Sequence, residues 1–120
     1  MAERKRILVV DDSKLARMAL RAVLADIGTD SDTLEATDAE TALAMLDGHA
    51  FDIVFMDYNM PGADGLAAAT VFRSRCPDMA IALISANAQD GILAEAERLR
   101  VRFIPKPIRR QEVALFLQGA

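Results

Sequence analysis

The feature that most restricts the fold of this 120-residue chain is an alternation repeated five times: a short apolar run, a loop, then an amphipathic helical stretch. The apolar runs fall at 7–10 (ILVV), 33–36 (TLEA), 53–56 (IVFM), 80–84 (AIALI) and 101–104 (VRFI). Continuous β-branched and aromatic runs suit strands buried on both faces. The first helical stretch follows Ser13, a candidate N-cap, and carries Ala16, Leu20, Val23, Leu24 and Ile27 at helical spacing before Gly28, a candidate C-cap. The second begins near Asp38, turns Ala39, Ala42, Leu43 and Leu46 inward, and is expected to end at Gly48. The third covers about 65–74, before Pro77; the fourth covers about 90–99, with Ile92, Leu93, Ala96 and Leu99 on one side. The fifth covers about 110–118, with Val113, Phe116 and Leu117 inward. Such alternation implies a parallel α/β sheet with right-handed crossovers and helices on both faces.

Within that plan the stretch 51–65 (FDIVFMDYNMPGADG) stands out. Its apolar run stops abruptly at Asp57, and Pro61, Gly62 and Gly65 then make a turn-rich loop. Chemistry in open parallel sheets collects outside the carboxyl ends of the strands. Asp11 and Asp12 follow the first strand, Ser85 the fourth and Lys106 the fifth. The strand order 2-1-3-4-5 makes these four distinctive strands contiguous and leaves the least apolar one, the second, at an edge.

Three carboxylates at adjacent strand ends repel one another, and a divalent cation would reconcile them. An all-oxygen donor set without Cys or His suits Mg²⁺. With the Ser85 hydroxyl and the Lys106 ammonium, the set reads as a site for a phosphorylated carboxylate: Asp57 attacks phosphorus while metal and lysine neutralise the oxygens.

Bulk properties narrow the class. The chain has one-domain length and is 52% hydrophobic, enough for a core. A net charge of −4 and an acidic pI of about 4.9 argue against direct nucleic-acid binding. No apolar run nears the ~18 residues of a membrane span, and the N-terminal stretch lacks a signal-peptide pattern. A single Cys76 suggests a reducing, cytoplasmic setting, and the lone His49 has no ligand-spaced partner.

Asp11-Asp12, the run from Asp57 to Gly65, Ser85-Ala86 and Lys106-Pro107 together resemble the receiver domain of two-component response regulators, in order and over almost the whole chain. The resemblance implies a flavodoxin-like doubly wound fold; receivers are a standard example of this strand order, so topology and resemblance are one expectation, not two. It implies a single receiver domain over 1–120 that acts in a His-to-Asp phosphorelay and catalyses only its own phosphotransfer and dephosphorylation. Asp57 resembles the phosphoacceptor. Asp12, Asp11, Asp57 and the Asn59 carbonyl resemble the Mg²⁺ ligands. Ser85 and Phe103 resemble the switch hydroxyl and aromatic, and Lys106 the phosphoryl-binding lysine. Lys106-Pro107 would be cis. Asn59 and Asn87 flank the route of the attacking water. Ala86 is small enough to leave the phosphoryl group accessible.

A haloacid-dehalogenase-like phosphatase would use a similar set, but it needs a second Asp two residues after the nucleophile, where this chain has Asn59. The phosphodonor partner is expected to be a sensor histidine kinase or histidine phosphotransfer protein. Between 98 and 110 the chain carries Arg98, Arg100, Arg102, Arg109 and Arg110 beside Lys106, with no Asp or Glu. Edge-strand protection explains this in part. The further expectation is a face of the fourth helix, fifth strand and fifth helix that meets an acidic patch on a downstream protein. With one helix after the fifth strand, the chain reads as either a stand-alone receiver or part of a longer regulator.

Overall fold

The computed structural model describes residues 4–28, 31–60, 63–86 and 90–120. In chain order its elements are β1 (Lys5–Val10), α1 (Lys14–Ile27), β2 (Ser31–Ala36), α2 (Ala39–Met45), β3 (Ile53–Asp57), β4 (Asn59–Met60), β5 (Ala63–Asp64), α3 (Gly65–Arg75), β6 (Ala80–Ser85), α4 (Asp90–Arg98), β7 (Arg102–Pro105) and α5 (Arg110–Gln118). Five strands form one parallel sheet in the order β2-β1-β3-β6-β7, the expected 2-1-3-4-5 arrangement. The two-residue strands β4 and β5 form a separate antiparallel ribbon between β3 and α3.

Alternation along the central strands divides the apolar side chains between two cores. Leu8, Val10, Val54, Met56, Ile81 and Leu83 join Phe72, Ala69 and Ala96 on the face covered by α2, α3 and α4. Ile7, Val9, Ile53, Phe55, Ala82 and Ile84 meet Leu20, Leu24, Val113 and Phe116 on the face covered by α1 and α5. Phe55 and Phe116 pack edge to face with centroids 5.2 Å apart. Double-sided burial is why these strands read as unbroken apolar runs.

Helix ends show which local signals hold. The Ser13 hydroxyl accepts from the Ala16 N–H at 3.2 Å, and an Asp38 oxygen accepts from the Thr41 N–H at 2.7 Å. Gly28 closes α1 at φ +83°, a conformation that spares glycine the Cβ penalty. Gly48 does not end α2. The helix stops at Met45, and three successive turn bonds, Leu46 N–H to Leu43, Asp47 N–H to Ala44 and Gly48 N–H to Met45, carry the chain onward. On α4, Leu93 is 39% exposed while Ala96 on the same side of the helix is buried.

The end of α4 has no glycine. Arg100 takes the left-handed conformation at φ +59°, its N–H donates to Glu97 O, and the Val101 N–H donates to Ala96 O at 2.8 Å. This is a Schellman closure built on arginine. It uses Val101 as a cap residue, so β7 begins at Arg102 and extends to Pro105 rather than covering 101–104.

Candidate functional site

The strand ends deliver the site. Val10 and Asp57 end β1 and β3, and Ser85 ends β6 one residue beyond Ile84, the register partner of Asp57. Asp57 is 4% exposed and Ser85 1%, whereas Asp12 is open to solvent. One carboxylate oxygen from each of Asp11, Asp12 and Asp57 lies within 4.8 Å of the others. Lys106 Nζ stands 3.2 Å from Asp57 Oδ1, which also accepts from the Asn59 N–H at 3.4 Å.

Backbone ties hold these loops. The Asp11 N–H donates to Ala36 O at 3.1 Å, and Asp11 Oδ1 accepts from the Ser13 N–H at 2.9 Å. The Tyr58 N–H donates to Ile84 O at 2.8 Å, and the Lys106 N–H to Ser85 O at 2.9 Å, continuing the sheet's pairing beyond the strands. The Lys106-Pro107 peptide is cis. Gly65, first residue of α3, lies so close to the loop that a Cβ there would sit 2.7 Å from Tyr58 Cα. A side chain at 65 would therefore push α3 away from the residue that follows Asp57.

Charge at the site is unbalanced: three carboxylates face one ammonium, a formal −2. Asp11 shows the consequence. Burial raises its carboxyl above the usual range, the Ser13 N–H opposes the shift, and Asp57 and Asp12 add to it against Lys106. Three hard oxygen donors fit a small divalent cation such as Mg²⁺, whose charge would cancel the excess.

Of the expected site residues, the structure brings together Asp11, Asp12, Asp57, the Asn59 loop and Lys106, with Ser85 at the end of the adjoining strand. The Asn59 side chain and Ala86 are exposed. Asn87, Pro61 and Gly62 lie outside the described residues. Phe103 is half-buried on β7 and lines a groove of about 590 Å³ with Leu93, Ala96 and Phe116.

The arginine stripe is less open than its sequence suggests. Arg98 pairs with Glu95 at 2.7 Å and Arg110 with Asp26 at 2.6 Å, while Arg100 donates to Pro77 O at 3.4 Å. Arg102 and Arg109 are exposed and form no ion pair with any described residue.

Two arginines escaped the sequence reading. Arg73 donates to the carbonyls of Leu99, Pro77, Met79 and Arg100 at 2.6–3.0 Å, and burial lowers its guanidinium below the ordinary value. Arg17 donates to the Asp11 carbonyl at 2.8 Å. Its position one helical turn after Ser13, beside an acidic loop, was the available signal.

Among the described residues, no helix is long and apolar enough to cross a membrane. The family model for the response regulator receiver domain matches residues 7–118. The chain is 33% identical over 109 residues to "Chemotaxis protein CheY" of Pseudomonas aeruginosa, covering 88% of this chain and 87% of that protein. It is 30% identical over 110 residues to "Glycerol metabolism activator" of Pseudomonas putida, of which it spans 50%. The solved signal receiver domain of the putative response regulator NarL from Mycobacterium tuberculosis superposes with a TM-score of 0.84 at 30% identity, covering 98% of this chain and 96% of that one. With the parallel sheet and its acidic strand ends, these matches establish that the chain belongs to the response regulator receiver domain family of two-component signalling.

Proposed function

We propose that this chain is one receiver unit over residues 1–120 that takes a phosphoryl group onto Asp57 in a His-to-Asp phosphorelay. The observation that carries the reading is the juxtaposition at β3: a buried carboxylate, ion-paired to Lys106 at 3.2 Å, beside two further carboxylates with net negative charge. Asp11, Asp12, Asp57 and the Asn59 carbonyl would hold Mg²⁺. When bound, the ion supplies Lewis-acid neutralisation of phosphoryl oxygens.

The remaining chemistry belongs to the chain. An Asp57 carboxylate oxygen attacks phosphorus; the O–P bond forms as the N–P bond of a phosphohistidine donor breaks, and the bonding pair leaves with the imidazole nitrogen. Lys106, already seated on Asp57, remains beside the new acyl phosphate as a counter-charge. Ser85 offers its hydroxyl from the next strand end, and Phe103 responds along the groove between α4 and α5. Phosphorylation favours one of two pre-existing arrangements of that face. Asn59 and Asn87 orient the water that later hydrolyses the acyl phosphate, since an amide can position water without acting as a strong base. The outputs are contacts with a histidine kinase or phosphotransfer protein and with a downstream protein that presents an acidic patch. The open cations for that patch are Arg102 and Arg109, with Arg98 and Arg110 held in ion pairs and Arg100 on the Pro77 carbonyl in support. The site performs this transfer on itself and turns over no external substrate, in the reducing interior of the cell.

The test is incubation with acetyl phosphate and Mg²⁺. Wild type is expected to form an acid-stable, base-labile phosphoprotein, and Asp57→Ala is expected to form none. Equal labelling in EDTA, or labelling that survives in Asp57→Ala, would overturn the assignment.

A further inference from the structure

The three carboxylates repel one another, yet Asp12 is exposed and could relieve the repulsion by turning into water. Something must keep it facing the other two. The Asp11 N–H is held by Ala36 O, and the Asp11 carboxylate by the Ser13 N–H. The Ser13 bond closes a turn around the peptide that joins Asp11 to Asp12, but it leaves that peptide's carbonyl to another partner. That partner is Arg17 Nη1, which donates to the Asp11 carbonyl at 2.8 Å.

The guanidinium is itself held. Arg17 Nε donates to Glu35 Oε1 at 2.8 Å, and its side chain is 14% exposed against 36% for Glu35. Glu35 Oε2 in turn accepts from Arg21 Nη1 at 3.2 Å, and the same Arg21 nitrogen reaches Thr33 O at 3.3 Å. A planar guanidinium pinned at Nε by a carboxylate has its Nη1 direction fixed. The chain of contacts runs from edge strand β2 through Glu35 and Arg17 to one main-chain oxygen of the acidic loop.

We infer that Arg17 is a positioning residue for divalent-cation binding: oriented by Glu35, it locks the Asp11–Asp12 peptide so that Asp12 faces Asp11 and Asp57. The inference rests on the metal-dependent phosphoacceptor reading above. It makes a prediction of unusual sign. As a nearby cation Arg17 should repel Mg²⁺, so electrostatics alone says that removing it tightens binding. Positioning says that removing it loosens binding, as loss of an outer-shell partner does. A merely structural tie between α1 and β2 predicts lower thermal stability with no change in affinity.

The experiment is calorimetric titration of Mg²⁺ into the wild-type chain and into Arg17→Ala, Arg17→Lys and Glu35→Gln, each shown to be folded by circular dichroism and melting in EDTA. Arg17→Ala is expected to weaken Mg²⁺ binding about tenfold. Arg17→Lys should fall between the alanine variant and wild type, because one ammonium lacks the fork that spans both acceptors. Glu35→Gln should weaken binding by a smaller factor; should Arg17→Ala fail to fold, Glu35→Gln and Arg17→Lys carry the prediction. In an Asp12→Ala background, Arg17→Ala should have little further effect, because the residue it positions is gone. A folded Arg17→Ala chain that binds Mg²⁺ as tightly as wild type, or more tightly, overturns the inference alone. A wild-type chain that binds no Mg²⁺ overturns the proposed function and this inference with it.

Discussion

At the carboxyl end of the sheet three carboxylates face a single lysine, whereas along the β7 side most arginines have already found partners within the fold. Arg98 has Glu95, Arg110 has Asp26, Arg73 has four main-chain carbonyls and Arg100 reaches the Pro77 carbonyl, whereas Arg102 and Arg109 form no ion pair with any described residue. Equal runs of like charge in a sequence therefore mean different things in the fold. Charge that the fold leaves unbalanced at a buried carboxylate points to something from outside that completes it. Charge that the fold balances locally is first a structural device, and only its residue is available to a partner. The acidic cluster thus supports a chemical role more strongly than the basic stripe supports a docking role.

The largest effect should come from the balanced side. Arg73 ties the end of α4 to the start of β6, so Arg73→Ala strands several carbonyls and should cost about 2 kcal/mol in urea unfolding, by the scale of hydrogen bonds to charged groups. Arg73→Lys should recover only part, since an ammonium cannot span four acceptors in one plane. An Arg73→Ala protein with unchanged stability would show that the carbonyls are content with water and that the compensation is incidental.

On the unbalanced side, Asp12→Ala should do two opposite things. It should weaken Mg²⁺ binding by about tenfold or more, the loss expected for a ligand or its close support. In EDTA it should raise the melting temperature slightly, because a like charge is removed from beside Asp11 and Asp57. A lower melting temperature in EDTA would mean that Asp12 stabilises the fold by itself and that the repulsion is not felt.

Two aspartates sharpen the contrast through pH. Burial raises the Asp11 carboxyl, with Asp57 and Asp12 adding to the shift. Above its unfolded value of about 4, the folded protein therefore holds this proton more tightly than the unfolded chain. In EDTA the ionised Asp11 costs stability at neutral pH, and the cost fades as pH falls through the raised value. Asp38 is the reverse: the Thr41 N–H, then the Thr41 and Thr37 hydroxyls, lower its carboxyl. Its contribution is complete above about 4 and is lost as pH falls through the depressed value. Asp11→Asn should thus stabilise the metal-free protein at pH 7 and lose that advantage in acid. Asp38→Ala should destabilise at pH 7 and matter less in acid. Melting curves across pH give both signs, and a shared sign for the two variants would contradict the account.

The smallest effect separates the arginines. Arg98→Glu loses its pair and places like charges three residues apart on α4, at a cost of about 0.5 kcal/mol. Arg102→Glu has no pair to lose and should be near neutral. Equal costs would mean that the Arg98–Glu95 contact contributes nothing measurable.

The fold was legible where the signal was local or periodic. Ser13, Gly28 and Asp38 cap helices through their own side-chain or backbone chemistry, and the apolar runs announced strands covered on both faces. The expectation failed where tertiary geometry replaced the usual residue. Arg100 fills a left-handed position that normally signals itself with glycine, and Gly48 signals an end that α2 reaches three residues earlier. The acidic residues and lysine were legible because few other arrangements explain charges at strand ends. Arg73 was not, because its acceptors are main-chain oxygens, which any sequence supplies, and Arg17 was not, because it joins a main-chain oxygen to a Glu35 carboxylate eighteen residues away. The balancing of Arg110 by Asp26 was hidden by separation along the chain.

Borohydride trapping shows whether the phosphoryl group arrives on Asp57. An acyl phosphate on aspartate is reduced to homoserine, which peptide mass spectrometry can place. After incubation with acetyl phosphate and Mg²⁺, homoserine is expected at position 57 and at no other aspartate, with none formed in EDTA. Homoserine at position 11 or 12, or a phosphoprotein that yields no homoserine at all, would contradict that assignment.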